Sequence, residues 1–259
     1  MRAEPRIAAF TDDAVLGGRL RLKQPAKGHR FGHDAILLAA ACPVRAGEQV
    51  VDLGAGVGAA GLALAARVDG CVVTLGEIEP ALVALAAENA QRNGLAARVR
   101  AIVLDSTAPP RAFAAAGLRP ESVARVLMNP PFNDPVRQRT SPNRSRHLAH
   151  AATTTTLPAW VRTAARLLRP RGTLSLIWRA DGMAEVLAVL APTFGAVRLL
   201  PVHPKLDAPA IRILVRATKA SGAPLELLPG LVLADASGNP TAEAEAVLRL
   251  GSGLSLAEI

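Results

Sequence analysis

The chain reads as a mostly parallel, doubly wound α/β sheet that closes with an antiparallel strand pair. Three observations point there. From residue 49 onward, short β-branched runs alternate with longer Ala and Leu runs, the rhythm of parallel strands joined by crossover helices. A glycine-rich turn, Asp52-Leu-Gly-Ala-Gly-Val-Gly58, closes the first of those strands and opens a helix. Late in the chain, two extended runs are separated by a Pro-rich connection too short for a crossover helix, which makes them antiparallel neighbours.

Half of the 259 residues are apolar, enough to bury the core of one large α/β unit. Residues 1–45, rich in Arg, Lys and Gly around Gly17-Gly-Arg-Leu-Arg-Leu-Lys23, read as an N-terminal arm or hairpin ahead of a helix over Asp34–Ala41. The main body, 46–218, carries strand candidates at Gln49–Leu53, Cys71–Glu77, Val99–Leu104, Ala124–Met128 and Gly172–Ile177. Helix candidates lie between them at Ala59–Val68, Pro80–Asn93 and Leu157–Leu168. Pro80 and Pro158 suit first helical turns, and Gly94 suits a stop. Met183–Leu190 reads as a further helix, followed by the extended pair Ala196–Val202 and Ile211–Val215. A C-terminal extension, 219–259, is expected to pack on the core, with an edge strand within Leu225–Leu233 and then a short helix. The stretch between Phe132 and Leu157 breaks the alternation: it holds Arg137, Arg139, Arg144, Arg146, His147 and His150 with almost no apolar residue, as functional or disordered loops do.

Lys and Arg number 30 against 21 acids, a net charge of +9 that favours a polyanionic partner but equally suits an ordinary basic, alanine-rich protein. Cys42 and Cys71 sit in apolar runs without the spacing of a metal site or a disulfide framework, so both are read as reduced core residues. No metal constellation is apparent in the sequence. The N-terminus leads into no apolar signal segment, and the uncharged run Leu53 to Ala66 is too short and broken to span a bilayer; the expectation is a soluble, cytoplasmic protein.

The glycine turn suits any nucleotide-like ligand, because bare glycines let the backbone approach closely and the first helical turn presents free N–H groups. Gly56-Val-Gly58-Ala-Ala-Gly61 satisfies the dinucleotide pattern, with Glu77 21 positions after Gly56, where a ribose-binding carboxylate belongs. Asp52 shifts the balance: a carboxylate at the strand mouth repels a pyrophosphate but attracts an amino group. S-adenosylmethionine carries an ammonium and no phosphate. On this reading Glu77 accepts from the ribose hydroxyls and Asp105, after the third strand, from the adenine amine. The competing reading is a tight turn with solvated helix-capping acids.

Asn129-Pro130-Pro131-Phe132 follows the fourth strand candidate, at the carboxyl ends of the strands where ligands bind. An exocyclic amine is a poor nucleophile because its lone pair is spread into the ring. Two acceptors aimed at its hydrogens, the Asn129 side-chain oxygen and the Pro130 carbonyl, favour the charge that develops as nitrogen attacks a methyl group. The prolines fix φ and free that carbonyl, and Phe132 offers a face on which a flipped base can stack. Standing alone, the segment is also an ordinary strand-ending turn.

These residues resemble the class I S-adenosylmethionine-dependent methyltransferases, and more closely the bacterial family of tRNA adenine-N6 methyltransferases that modify tRNA1(Val) beside the anticodon. The resemblance is carried by Gly28-His-Arg-Phe-Gly-His-Asp34-Ala-Ile-Leu-Leu38, the turn Val51 to Gly58, Glu77-Ile-Glu-Pro80, Asn129 to Phe132, and Ile211-Arg-Ile-Leu-Val215. It implies a Rossmann-like core, a cofactor held by Asp52, Gly54, Ala55, Gly56, Glu77, Asp105, Ser106 and Asn129, and a segment 28–38 that covers it. Asn129, Pro130, Pro131 and Phe132 would carry the catalysis. tRNA would be the partner, contacted by Arg137, Arg139, Arg144, Arg146, Lys23 and Arg30. His33 departs from the small hydroxyl residue usual before the aspartate, and with no tyrosine in the chain Phe132 must supply the stacking ring. Related enzymes act on rRNA guanine N2, DNA adenine or protein glutamine, but they usually carry additions for which some 45 leading residues leave little room. A non-catalytic RNA-binding module and an NAD-dependent oxidoreductase complete the alternatives.

Overall fold

A computed structural model describes residues 9–28, 30–131 and 156–258. The arm is a hairpin, β1 (Phe10–Val15) and β2 (Leu20–Pro25), antiparallel in register Phe10 to Pro25. Alternation buries Leu20, Leu22 and Gln24, while Arg21, Lys23 and Pro25 are left more open. Gly17 and Gly18 turn between the strands at φ +65° and +89°. Helix α1 (His33–Ala41) follows and is buried from Ala35 to Ala41, which its uniformly apolar sequence permits.

Next come β3 (Gln49–Leu53), α2 (Ala59–Arg67), β4 (Val72–Glu77), α3 (Pro80–Arg92), β5 (Val99–Val103), α4 (Pro110–Ala115) and β6 (Val123–Met128). After the undescribed stretch the chain resumes with α5 (Thr156–Leu167), β7 (Leu168–Arg179), α6 (Met183–Leu190), β8 (Phe194–Lys205) and β9 (Arg212–Lys219). It ends with β10 (Glu226–Leu227), β11 (Leu231–Ala234) and α7 (Ala242–Leu248). Among the described residues these strands form a nine-stranded sheet, β10-β8-β9-β7-β6-β3-β4-β5, with β11 also on β8. Only the β7–β9 and β8–β9 pairings in this sheet are antiparallel, so the antiparallel pair foreseen near the C-terminus is present.

Two apolar layers flank the sheet. On one face α1, α2 and α7 cover Val50, Leu75 and Leu127; on the other α4, α5 and α6 cover Val51, Leu53, Val126 and Met128. Adjacent residues of β3 and β6 thus point to opposite layers, as a pleat requires. Helix α4 escapes sequence reading because it is only six residues long and opens on a Pro-Pro pair. Strand β7 runs longer than expected, with an interruption: Leu168 pairs with Val123 and Thr173 with Arg125, so 169–172 stands out of the ladder.

The hairpin is docked by two carboxamides. Asn93, which caps α3, and Asn89 within it accept from the Arg21 and Lys23 N–H groups (2.9 and 2.8 Å) and donate to the carbonyls of the same residues (2.8 and 2.9 Å). Four helical residues rise about 6 Å and two strand residues about 6.7 Å, so an i, i+4 amide pair matches the outward groups of a β edge. An otherwise open strand edge is thereby satisfied.

Candidate active site

At its carboxyl end β3 registers Leu53 with Gly76 of β4 and with Met128 of β6. The residues that follow therefore emerge together at one edge: Gly54, Glu77 and Asn129. Val103, which ends β5, is in register with Glu77 and brings Asp105 to the same edge. Chain order reverses between β3 and β6, the joint of a doubly wound sheet where a crevice forms.

The glycine turn is held by β4. Gly54 and Ala55 N–H groups both donate to the Gly76 carbonyl (2.8 and 3.0 Å), and Gly56 N–H donates to Glu77 Oε2 (2.9 Å). Gly54 and Gly56 lie at φ +69° and +57°, where a side chain is strained. They differ in surroundings. A Cβ on Gly54 would lie 2.3 Å from Trp160 Cη2, whereas a Cβ on Gly56 would meet nothing within 4 Å among the described residues. The turn is thus closed by the α5 indole on one side and open on the other.

Asp52 does not stand at an open mouth. It is buried beneath the turn, and its Oδ2 accepts from Gly61 N–H (2.9 Å) in the first turn of α2, a cap supplied from within the preceding strand. Burial pushes its carboxyl up to about 7, against the lowering influence of the Gly61 N–H and aided by the like charge of Glu77. Glu77, 8% exposed, spans the mouth: Oε2 takes Gly56 N–H and Oε1 takes Glu79 N–H (3.0 Å), which leaves a lone pair on each oxygen for a ligand. Asp105 Oδ1 accepts from the N–H and hydroxyl of Thr107, both at 2.7 Å. Ser106 is buried, its carbonyl fixed by the Thr163 hydroxyl of α5 (2.9 Å).

Asn129 follows β6 directly, Pro130 is buried and Pro131 exposed. The Asn129 Oδ1 is buried, yet has no hydrogen-bond partner among the described residues. Such an orphan acceptor is uncommon and costs stability, and it leaves the oxygen free to accept from a ligand. Phe132, Arg137, Arg139, Arg144, Arg146, His147 and His150 lie outside the described residues. Lys23 and Arg30 sit on the hairpin side, ion-paired with Glu88 and with Asp13 (2.9 Å for the latter). Both pairs are partly exposed, so the bonds are weak and exchangeable.

Three contributions were not legible in the motifs. Trp160, which belongs to none of the motifs, packs on Gly54. Ile78, directly after Glu77, is 57% exposed and offers an apolar face beside that carboxylate. Asn89 donates to Val57 O (3.1 Å) as well as to the hairpin, tying the arm to the glycine turn. The segments 28–38 and 211–215 also meet, since Arg212 Nε donates to Asp34 Oδ2 at 2.9 Å.

With that geometry in place, the chain can be compared with known proteins. It matches the family described as methyltransferase small domain over residues 30–205. The chain belongs to that family. Among curated relatives, this methyltransferase is 30% identical over 161 residues to the tRNA1(Val) (adenine(37)-N6)-methyltransferase of Tolumonas auensis, covering 62% of this chain and 63% of that protein. It is 29% identical over 164 residues to the release factor glutamine methyltransferase of Chlorobaculum tepidum, covering 61% of this chain and 54% of that one. The match thus spans less than two thirds of either relative's own length. A crystal structure described as a predicted O-methyltransferase from Agrobacterium tumefaciens superposes with a TM-score of 0.72 at 29% identity, over 85% of this chain and 98% of that one.

The chain therefore carries the class I methyltransferase fold of that family, for which the cofactor is S-adenosylmethionine. The residues fit that cofactor: among the described residues the Gly56 side has room, Glu77 retains free lone pairs, Ile78 offers an apolar face, and Glu77 and Asp105 set acids at the edge, which suits a sulfonium with an ammonium. Among the described residues no cluster of three or more His, Cys, Asp or Glu could hold a metal, and no helix is long and apolar enough to cross a membrane.

Proposed function

We propose that the protein methylates the exocyclic N6 amine of an adenine in the anticodon-loop region of a tRNA. The observation that carries this reading is the buried, unpartnered Asn129 Oδ1 beside the glycine turn. An aromatic amine presents two N–H donors in the plane of its base. Asn129 Oδ1 accepts one and the Pro130 carbonyl the other, which keeps the nitrogen lone pair out of plane and stabilises positive charge as it forms. When bound, S-adenosylmethionine supplies an activated methyl group. Glu77 would hold the ribose hydroxyls, Gly56 would leave clearance and Ile78 would offer the adenine an apolar face, while Asp52 keeps α2 and the turn in place from below. Once methylated, the nitrogen is acidic enough to lose its proton to solvent, so the site needs placement more than a general base. Choice of tRNA is supported by the name of the 30% identical relative and by the Asp34–Arg212 contact, which joins two of the segments that carry the tRNA-family resemblance.

Labelled cofactor incubated with undermodified tRNA, followed by nucleoside mapping, tests the proposal. Label in N6-methyladenosine is expected. Absence of transfer by folded, cofactor-loaded protein would refute the tRNA reading. The second reading, methylation of a protein glutamine, is favoured by the 29% identical release factor enzyme. A primary amide also offers in-plane N–H groups to Asn129. Release factor supplied in place of tRNA separates the two.

A further inference from the structure

The other edge of the sheet carries a second charged feature that the reaction does not use. At the amino ends of β3, β6 and β7 lies a cleft of about 610 Å³ lined by Arg45, Arg125, Arg169, Arg171 and Arg216. The one acid in its wall is Glu48. That carboxylate is already shared: Arg125 Nε and Nη2 grip it at 3.1 and 2.9 Å, and Arg169 Nη2 binds it at 3.0 Å. The remaining cations lack an acidic partner. Arg45 is exposed and its guanidinium has no acceptor among the described residues, and Arg171 reaches only the Ser221 hydroxyl at 3.5 Å. Arg216 bonds the Leu256 and Glu258 carbonyls through Nη1, while its buried Nε has no acceptor. Burial and the like charges of Arg198 and Arg125 disfavour the Arg216 cation more than Glu226 favours it, a cost that an anion in the cleft would relieve.

The backbone is shaped to present these groups. Residues 169–172 stand out of the β6–β7 ladder, and Arg171 holds φ +64°, a left-handed conformation that a non-glycine side chain adopts only at a cost. Arg169 and Arg171 are thereby carried off the sheet edge toward the cleft, instead of alternating across it. Forked guanidiniums around a concave, solvent-open wall match phosphate oxygens better than they match a single carboxylate.

We infer that this amino-edge cleft, remote from the catalytic edge, binds phosphodiester groups of the RNA substrate. The inference rests on the RNA reading above and extends it: the nucleic acid is held at two places, its target base at the carboxyl edge and a distant backbone stretch here. Such contacts position without reading sequence.

The test is the double variant Arg45→Gln, Arg171→Gln, chosen because neither residue is ion-paired, with Arg249→Gln as a control that removes a charge from a side chain 70% exposed elsewhere. Binding of unmodified tRNA is measured by anisotropy across a salt series. The double variant should bind about tenfold more weakly at 0.1 M salt, with its logarithmic salt slope reduced by about 1.4–1.8 for two lost phosphate contacts. The control should follow the parent, thermal melts should coincide, and calorimetric cofactor binding should be retained. If affinity and slope match the parent, or fall equally in the control, the inference is overturned. If pyrophosphate binds in an arginine-dependent way while tRNA binding does not change, the cleft is a small-anion site and the RNA assignment is wrong. Arginine-dependent tRNA binding without methyl transfer would leave the cleft standing and remove the tRNA-methylation reading. Transfer with unaltered variant binding would do the reverse.

Discussion

The sharpest consequence of the site geometry is that two glycines two residues apart should fail in opposite ways. Alanine at a left-handed φ costs about 1–2 kcal/mol, offset by about 0.4–1 kcal/mol from the stiffer unfolded chain. Gly56→Ala, whose methyl meets nothing within 4 Å, should therefore lose only about 1 kcal/mol. Gly54→Ala carries the same backbone cost and also drives a methyl to 2.3 Å from Trp160 Cη2, where the rigid indole must move. Overpacking of that kind adds about 1–3 kcal/mol, for a total of about 2–4. At about 2–4 °C per kcal/mol in a domain of this size, the variants should melt roughly 5 °C apart, Gly54→Ala lower. Calorimetry should then give the reverse order for the cofactor: Gly56→Ala nearly as stable as the parent yet binding at least about tenfold more weakly, because its methyl occupies the cleared space. Pairing Gly54→Ala with Trp160→Ala should recover about 1–3 kcal/mol relative to additivity. Equal melting of the two single variants would show that Trp160 does not seal the turn. Parental cofactor affinity in Gly56→Ala would show that the open side is not the binding face.

Further expectations follow from individual contacts. Asn129→Ala should lower kcat by about 10²–10³, as loss of a transition-state hydrogen-bond partner does, with cofactor affinity retained; loss of cofactor binding instead would assign Asn129 to the wrong ligand. Asp52→Asn should differ from the parent in a pH-dependent way, because the carboxyl rises from its ordinary 3.8 to about 7 on folding. Both the folded and the unfolded chain are protonated there below pH 4, only the folded one between 4 and 7, so parental stability falls across that window and levels off above it. The variant keeps an acceptor for Gly61 N–H and lacks that slope. Urea melts should show little difference at pH 4 and a gain of up to about 4 kcal/mol for Asp52→Asn over the parent by pH 8, and a difference constant with pH would contradict a buried titrating Asp52. Asn89→Ala removes a carboxamide that makes bonds to Lys23 N–H, Lys23 O and Val57 O, and should cost about 2–4 kcal/mol and weaken the cofactor; hydrogen exchange at Lys23 is the direct readout.

What the sequence disclosed, and what it hid, divides along a physical line. Strand and helix periodicity located β3, β4, α3, β6 and α6 to within a residue or so, because each buries a continuous apolar face whose period is written locally. The glycine turn and the Asn129 segment were visible for the same reason: φ constraints and strand ends are local. Asp52 illustrates the limit. Its identity and position at the strand end were readable, but whether the carboxylate faces solvent or the underside of α2 depends on Gly61, nine residues on and one layer over. Trp160 shows it more plainly, since an indole on an amphipathic helix looks like core until the fold sets it on Gly54. The arginines of the second cleft come from β3's approach, β6, β7 and β9, and only the sheet order assembles them.

That assembly also resolves a tension in the chemistry. The carboxyl edge carries Glu77 and Asp105, with Asp52 buried beneath the turn, which suits a cationic cofactor but does not favour an RNA backbone. A polyanion must be drawn in by charge placed away from those acids. Within the described residues, the hairpin cations are largely matched by Asp12, Asp13 and Glu88, while the amino-edge arginines are not matched by Glu48 alone. A net charge of +9, to which Arg137, Arg139, Arg144 and Arg146 of the undescribed stretch contribute, attracts a polyanion to the surface as a whole, and among the described residues the amino-edge arginines are free to receive it. The two edges would divide the work: one selects a small cation and a flat amine, the other holds the polymer that brings the amine.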